Sequence, residues 1–103
     1  MAFIAVYITN ESQEAAQLLA DALLDSRLIA CANIFPMAST YLWQGNIAKE
    51  DEWVAIVKTT TRNWQKLKDK VTKIHPYDVP CIMKIDVEAN KDYEDWVRAS
   101  VID

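Results

Sequence analysis

The stretch STYLWQGNIAKEDEWVAIVKTT, residues 39–60, contains the chain's only glycine, and its reading decides the fold. Both sides of Gly45-Asn46 are rich in β-branched and aromatic residues, the composition of strands. A glycine at the tip supplies a positive φ that most other residues resist, so the stretch reads as a long hairpin turning at Gly45-Asn46. Alternation then assigns the faces. Ser39, Tyr41 and Trp43 share a face of the first arm, while in the second Trp53, Ala55, Val57 and Thr59 oppose Val54, Ile56 and Lys58.

Outward from the hairpin, FIAVYIT, residues 3–9, reads as a buried strand. In ESQEAAQLLADALLDSR, residues 11–27, the apolar positions Ala15, Leu18, Leu19, Ala22 and Leu23 take helical spacing, with Asn10 as N-cap and Gln13 as its capping-box partner. LIACANIF returns to strand composition until Pro36 interrupts it. Beyond the hairpin, TTRNWQKLKDKVTKI presents Trp64, Leu67, Val71 and Ile74 on one helix face, with a threonine as cap and lysines opposite. HPYDVP ends that helix, CIMKIDVEA alternates as a strand, and KDYEDWVRASVI reads as a short terminal helix presenting Tyr93, Trp96, Val97 and Val101. The order strand, helix, strand, strand, helix, strand is an α+β, split βαβ or ferredoxin-like arrangement, expected as one domain over residues 1–103. Two crossover helices cover one sheet face, so the other needs cover that an oligomer can supply.

The 103 residues carry a net charge of −4 and are 51% hydrophobic, a globular composition without the basic footprint that nucleic acid or an anionic membrane demands. The opening MAFIAVYITNES has neither the length to span a bilayer nor the basic start of a secretory signal, which predicts a cytoplasmic protein. Two cysteines fifty residues apart are too few for a disulfide framework. Four tryptophans and four tyrosines are many for so small an interior, and some are expected to bury between subunits.

Candidate chemistry concentrates in HPYDVPC, residues 75–81. His75 and Cys81 are soft donors suited to a transition metal; equally, His75 can close the second helix and Cys81 can pack beside Met83, Ile85 and Val87. Cys31 lies in a buried strand, Lys58 breaks an apolar row, and the row through Tyr41 and Trp43 can line a planar-ligand pocket or pack on a neighbour. No CxxC pair, HExxH helix, Ser/His/Asp order or glycine-rich phosphate loop is present, and a non-enzymatic protein is expected.

In chain order, ACANIFP, YLWQGNI, KTT, HPYDVP and YEDW resemble the signatures of the CutA family of divalent-cation tolerance proteins, the likeness running from about Phe3 to Ser100. The resemblance implies a ferredoxin-like subunit and a homotrimer joined by extension of sheets through the hairpins. It also implies a link to copper or divalent-metal tolerance, with no enzyme activity and no required cofactor. The family's shared positions fall on Cys31, Trp43, Gly45, Lys58, His75, Pro76, Tyr77 and Pro80. Trp43, Lys58 and Tyr77 thereby become candidates for a cleft, and His75, Cys81 and Cys31 for weak ligation of copper or another divalent ion. Two departures stand out: Ile8 where many members have a cysteine, and Cys81 where most have a glutamate, a change favouring softer ions. The plan is also similar to that of the PII nitrogen-signalling proteins, which leaves two alternatives: a signalling trimer binding a small anionic effector between subunits near Lys58 and His75, or a trimeric scaffold without a ligand.

Overall fold

The computed structural model describes residues 3–102, and its dominant feature is the hairpin. Strand β2, Cys31–Trp43, pairs antiparallel with β3, Asn46–Thr60, from Cys31 opposite Lys58 to Trp43 opposite Asn46. The turn lies one residue earlier than the sequence suggests. Its two loop residues are Gln44 and Gly45, with φ of 50° and 84°. Positive φ at both central positions matches the right-handed twist of the flanking strands. The shift moves each cross-strand partner by two residues and so keeps every side chain on its expected face. Ser39 meets Glu50 and Met37 meets Glu52.

Pro36 does not interrupt β2, contrary to expectation; it pairs in register with Trp53. The strand order is β2-β3-β1-β4, so β2 is an edge, where an imino acid facing outward breaks no ladder bond. Strand β1, Phe3–Asn10, pairs antiparallel with residues 53–60 of β3 on one side and with β4, Ile82–Val87, on the other. This is the expected split βαβ order. Residues 46–52 of β3 have only β2 beside them. A two-stranded arm therefore projects from the sheet, and the molecule measures 44 × 24 × 21 Å.

Helices α1, Gln13–Asp25, and α2, Trp64–Ile74, cover one sheet face. Ile4, Val6 and Ile8 of β1 and Ala55 and Val57 of β3 pack there against Leu19 and Leu23 of α1 and Leu67 and Val71 of α2. The N-cap of α1 is Ser12, whose Oγ accepts from the Ala15 N–H at 3.0 Å, and not Asn10. Asn10 instead ends β1, its Nδ2 donating to the carbonyls of Ile8 and Trp53. The buried stripe of α1 is also rotated from expectation: Ala16, Leu19, Ala20 and Leu23 face the sheet, while Leu18 is 64% exposed. A 3-10 turn, Thr61–Asn63, precedes α2, whose N-cap position is held by Asn63 and not by a threonine. Thr59 Oγ1 donates to the Leu28 carbonyl, and Asn63 Nδ2 to Thr59 Oγ1 and the Ile102 carbonyl.

The terminal helix α3, Lys91–Ser100, lies against one end of the opposite sheet face, where Val97 is buried and Tyr93 meets the Phe3 ring edge-on at 6.1 Å. The rest of that face, with Phe35, Met83 and Ile85 exposed beyond one third, has no cover among the described residues.

Candidate functional site

Period-two alternation sends Tyr7 of β1, Met37, Ser39, Tyr41 and Trp43 of β2, and Glu50 and Glu52 of β3 to this same bare face. There they line an open groove of about 810 Å³, closed at one side by Tyr77, Asp78, Val79 and Cys81 of the loop after α2. Glu52 is the pivot of the wall. Only 7% exposed, its Oε2 accepts from the Tyr77 hydroxyl at 2.8 Å, fastening the loop to β3. Burial, then the bond to Glu52, raises the Tyr77 pKa far above that of free tyrosine. Desolvation and the Glu50 carboxylate raise that of Tyr41 in the same direction. The Tyr7 hydroxyl reaches Met37 Sδ at 3.1 Å. Among the described residues lining the groove there are three carboxylates, on Glu50, Glu52 and Asp78, and no lysine, arginine or histidine. The groove is therefore negative and repels anions.

Of the residues singled out in the sequence, Trp43, Tyr77 and Cys81 do come together here. Burial and the Glu52 charge raise the Cys81 thiol, so an ion bound to its sulfur must first displace a proton.

The expectation that His75 and Cys81 share an ion is not met within one chain. His75 is buried, its Nε2 lying 2.7 Å from the Thr9 carbonyl and its Nδ1 accepting from the Tyr77 N–H at 3.2 Å. A backbone N–H can only donate, so Nδ1 carries no proton, Nε2–H is the donor to Thr9, and neither nitrogen has a lone pair to offer. Nor is His75 among the residues lining the groove; it borders a second depression on the helix side. As a cap His75 also departs from expectation. Its backbone N–H, not its imidazole, bonds the Val71 carbonyl at 2.8 Å.

Cys31 and Lys58 stand apart as well. Cys31 begins the edge strand β2 while Cys81 leads into the opposite edge β4, three strand spacings or roughly 14 Å across the sheet, and lies four residues before Ile85, the β4 residue level with Cys31. Cys31 Sγ lies 3.2 Å from the Tyr93 hydroxyl, and that bond, followed by burial, pushes the Tyr93 pKa up to about 12. Lys58 pairs with Cys31 in the sheet and bonds its Nζ to Asn33 Oδ1, so it does not meet His75. Among the described residues no group of three or more His, Cys, Asp and Glu side chains is placed to hold a metal ion. A closed site does not fit one chain. The carboxylates of the groove were missed in the sequence, although the hairpin alternation, run back from Lys58 through Ile56 and Val54, leads to Glu52 and Glu50.

These features define a ferredoxin-like domain with an uncovered sheet face and an acidic, aromatic groove. The chain belongs to the CutA1 divalent ion tolerance protein family, whose pattern matches residues 4–100. The divalent-cation tolerance protein CutA of Thermus thermophilus is 45% identical over 95 residues, covering 90% of this chain and 92% of that protein. The CutA1 crystal structure from Pyrococcus horikoshii superposes with a TM-score of 0.93 at 40% identity, covering 97% of this chain and 99% of that one. CutA1 from Oryza sativa gives 0.95 at 32% identity over 99% and 95%. A related structure from Archaeoglobus fulgidus is described as a periplasmic divalent cation tolerance protein. No helix among the described residues is long and apolar enough to cross a membrane.

Proposed function

We propose that the chain serves divalent-cation tolerance as a non-enzymatic homotrimer that binds copper or another divalent ion weakly, in the acidic groove, with donors completed by a neighbouring subunit. The observation that carries this reading is the groove itself. Glu50, Glu52, Asp78 and Cys81 line it without a compensating cation, on a sheet face that the chain leaves uncovered. A cation is attracted there, and a single chain supplies too few convergent ligands to enclose it. The two free cysteines suit a reducing cytoplasm. The same charge disfavours a small anionic effector in this groove. Native mass spectrometry tests the trimer, and a copper competition titration of the parent beside Asp78→Asn and Cys81→Ser tests the site. The groove reading predicts weaker binding in both variants at unchanged mass; equal affinity in parent and variants, or a monomer at micromolar concentration, would remove it.

A further inference from the structure

The helix layer carries a pattern that the sheet-face assembly does not use. At about 100° per residue, α1 has a second apolar stripe, Ala15, Leu18 and Ala22, turned away from the core stripe toward α2. It meets Ile74 and Pro76 at the end of α2 in a depression of about 430 Å³. Leu18 is 64% and Ile74 46% exposed, so this seam is not closed within the chain.

The two sides of the seam have opposite charge. Glu11, Glu14, Asp21 and Asp25 are the only charged residues from 11 to 26, and the last three fall on the outer side of Leu18. Residues 61–74 carry five basic side chains against Asp69 alone, and Lys70 and Lys73 flank Ile74 on its outer side. Among the described residues neither lysine forms an ion pair with an α1 carboxylate. Across the layer the order is acidic, apolar, basic. Such a plate is self-complementary under a two-fold axis through the seam, which sets the acidic helix of one copy on the basic helix of the next and Leu18 near Ile74.

We propose that this helix layer is a self-association surface through which a second copy of the chain docks, α1 on α2 and α2 on α1. It lies opposite the sheet face assigned above to the trimer, so either contact can fail without the other. The seam is small and its charges are solvated, which makes the contact weak and sensitive to salt.

Sedimentation velocity over a concentration series, at low salt and at about 0.5 M, where the screening length is roughly 4 Å, tests this. The high-salt limit gives the basal mass, trimer or otherwise. At low salt the mass should rise above it with concentration, and association should weaken by about tenfold or more on adding salt. Glu14→Lys/Asp21→Lys makes the plate predominantly basic, and Lys70→Glu/Lys73→Glu makes it predominantly acidic. Each variant alone should stay at the basal mass, while a mixture of the two should associate. All these positions are at least partly exposed, and far-UV circular dichroism checks that the variants fold; if one does not, the salt series on the parent decides. A constant mass at low salt, association that survives high salt, or variants that associate alone as the parent does would each overturn the proposal. An apolar dye that binds the seam while the mass stays constant would assign it to a small ligand and overturn it too.

Discussion

Replacing Gly45 by valine tests the hairpin at the one position where the backbone demands a residue without a side chain. Gly45 has φ of 84°, and a Cβ built there would meet no atom within 4 Å. Steric exclusion by neighbours is therefore absent, and the cost is conformational alone. Moving an L-residue into left-handed space costs roughly 1–2 kcal/mol, with a β-branched side chain at the upper end. Against this, valine restricts the unfolded chain more than glycine does, which returns roughly 0.5 kcal/mol or more to the folded state. A net loss of about 1 kcal/mol per chain results, a fall in thermal midpoint of roughly 4–8 °C for a domain of this size. Differential scanning calorimetry at fixed protein concentration reads it, since an oligomer's midpoint moves with concentration. Gln44→Gly serves as the reciprocal test. At φ 50° a glycine relieves the strain, so that variant should melt no lower than the parent by more than a degree or two, roughly the loop-entropy difference. A parent-like midpoint for Gly45→Val would refute the left-handed turn and with it the cross-strand register.

Ser12→Ala should cost about 1 kcal/mol in denaturant unfolding, because Ser12 Oγ holds the Ala15 N–H at the start of α1. Leu23→Ala should cost about 2–5 kcal/mol, while Leu18→Ala stays within about 0.5 kcal/mol; the reverse ranking would mean that the α1 stripe is assigned to the wrong side. Tyr93 predicts alkaline sensitivity. With its pKa pushed up to about 12, the folded chain keeps a proton that the unfolded chain releases above about pH 10, so stability present below pH 10 declines between about 10 and 12. Tyr93→Phe should flatten that decline in a pH series of melting midpoints, and parallel curves would count against the Cys31 contact.

Element types were legible in the sequence because each depends on neighbours along the chain. Alternation in the hairpin, helical spacing in α1 and α2, and the strand composition of β1 and β4 all reappear in the structure. What went astray depended on choices among near-equivalent local solutions. Asn10 and Ser12 are both good caps two residues apart, and only pairing of Asn10 with Trp53 across β3 assigns it to the sheet. Leu18 belongs to an apolar stripe of α1 as regular as the buried one, and only the placement of α2 and the sheet decides which is core. Pro36 reads as a break unless its strand is known to be an edge. The site suffered more, since it is assembled from β1, β2, β3 and a loop. His75 is the clearest case. Its residue type suggested a ligand, whereas its partners, the Thr9 carbonyl and the Tyr77 N–H, show it to be the fastening of a loop.

That fastening links stability to the groove. The loop of residues 75–81 has no ladder of its own and is tied at three points: the His75 N–H to Val71, the His75 ring to Thr9 and the Tyr77 N–H, and the Tyr77 hydroxyl to Glu52. Glu52 sits where β3 leaves β1 and continues as a two-stranded arm, a ribbon that is marginal in water without further cover. One of the three carboxylates that make the groove negative is thus the one that anchors its wall. Tyr77→Phe separates the two roles: it deletes the hydroxyl and leaves the charge. If the bond serves the wall, the variant should lose about 1–3 kcal/mol, the cost of leaving a buried carboxylate without its donor. Its copper affinity should be no weaker than that of the parent, because the oxygen released from Tyr77 becomes available to a cation. Stability and affinity falling together would show that ligation depends on the position of the loop, and would move the cation from the β3 carboxylates toward Asp78 and Cys81.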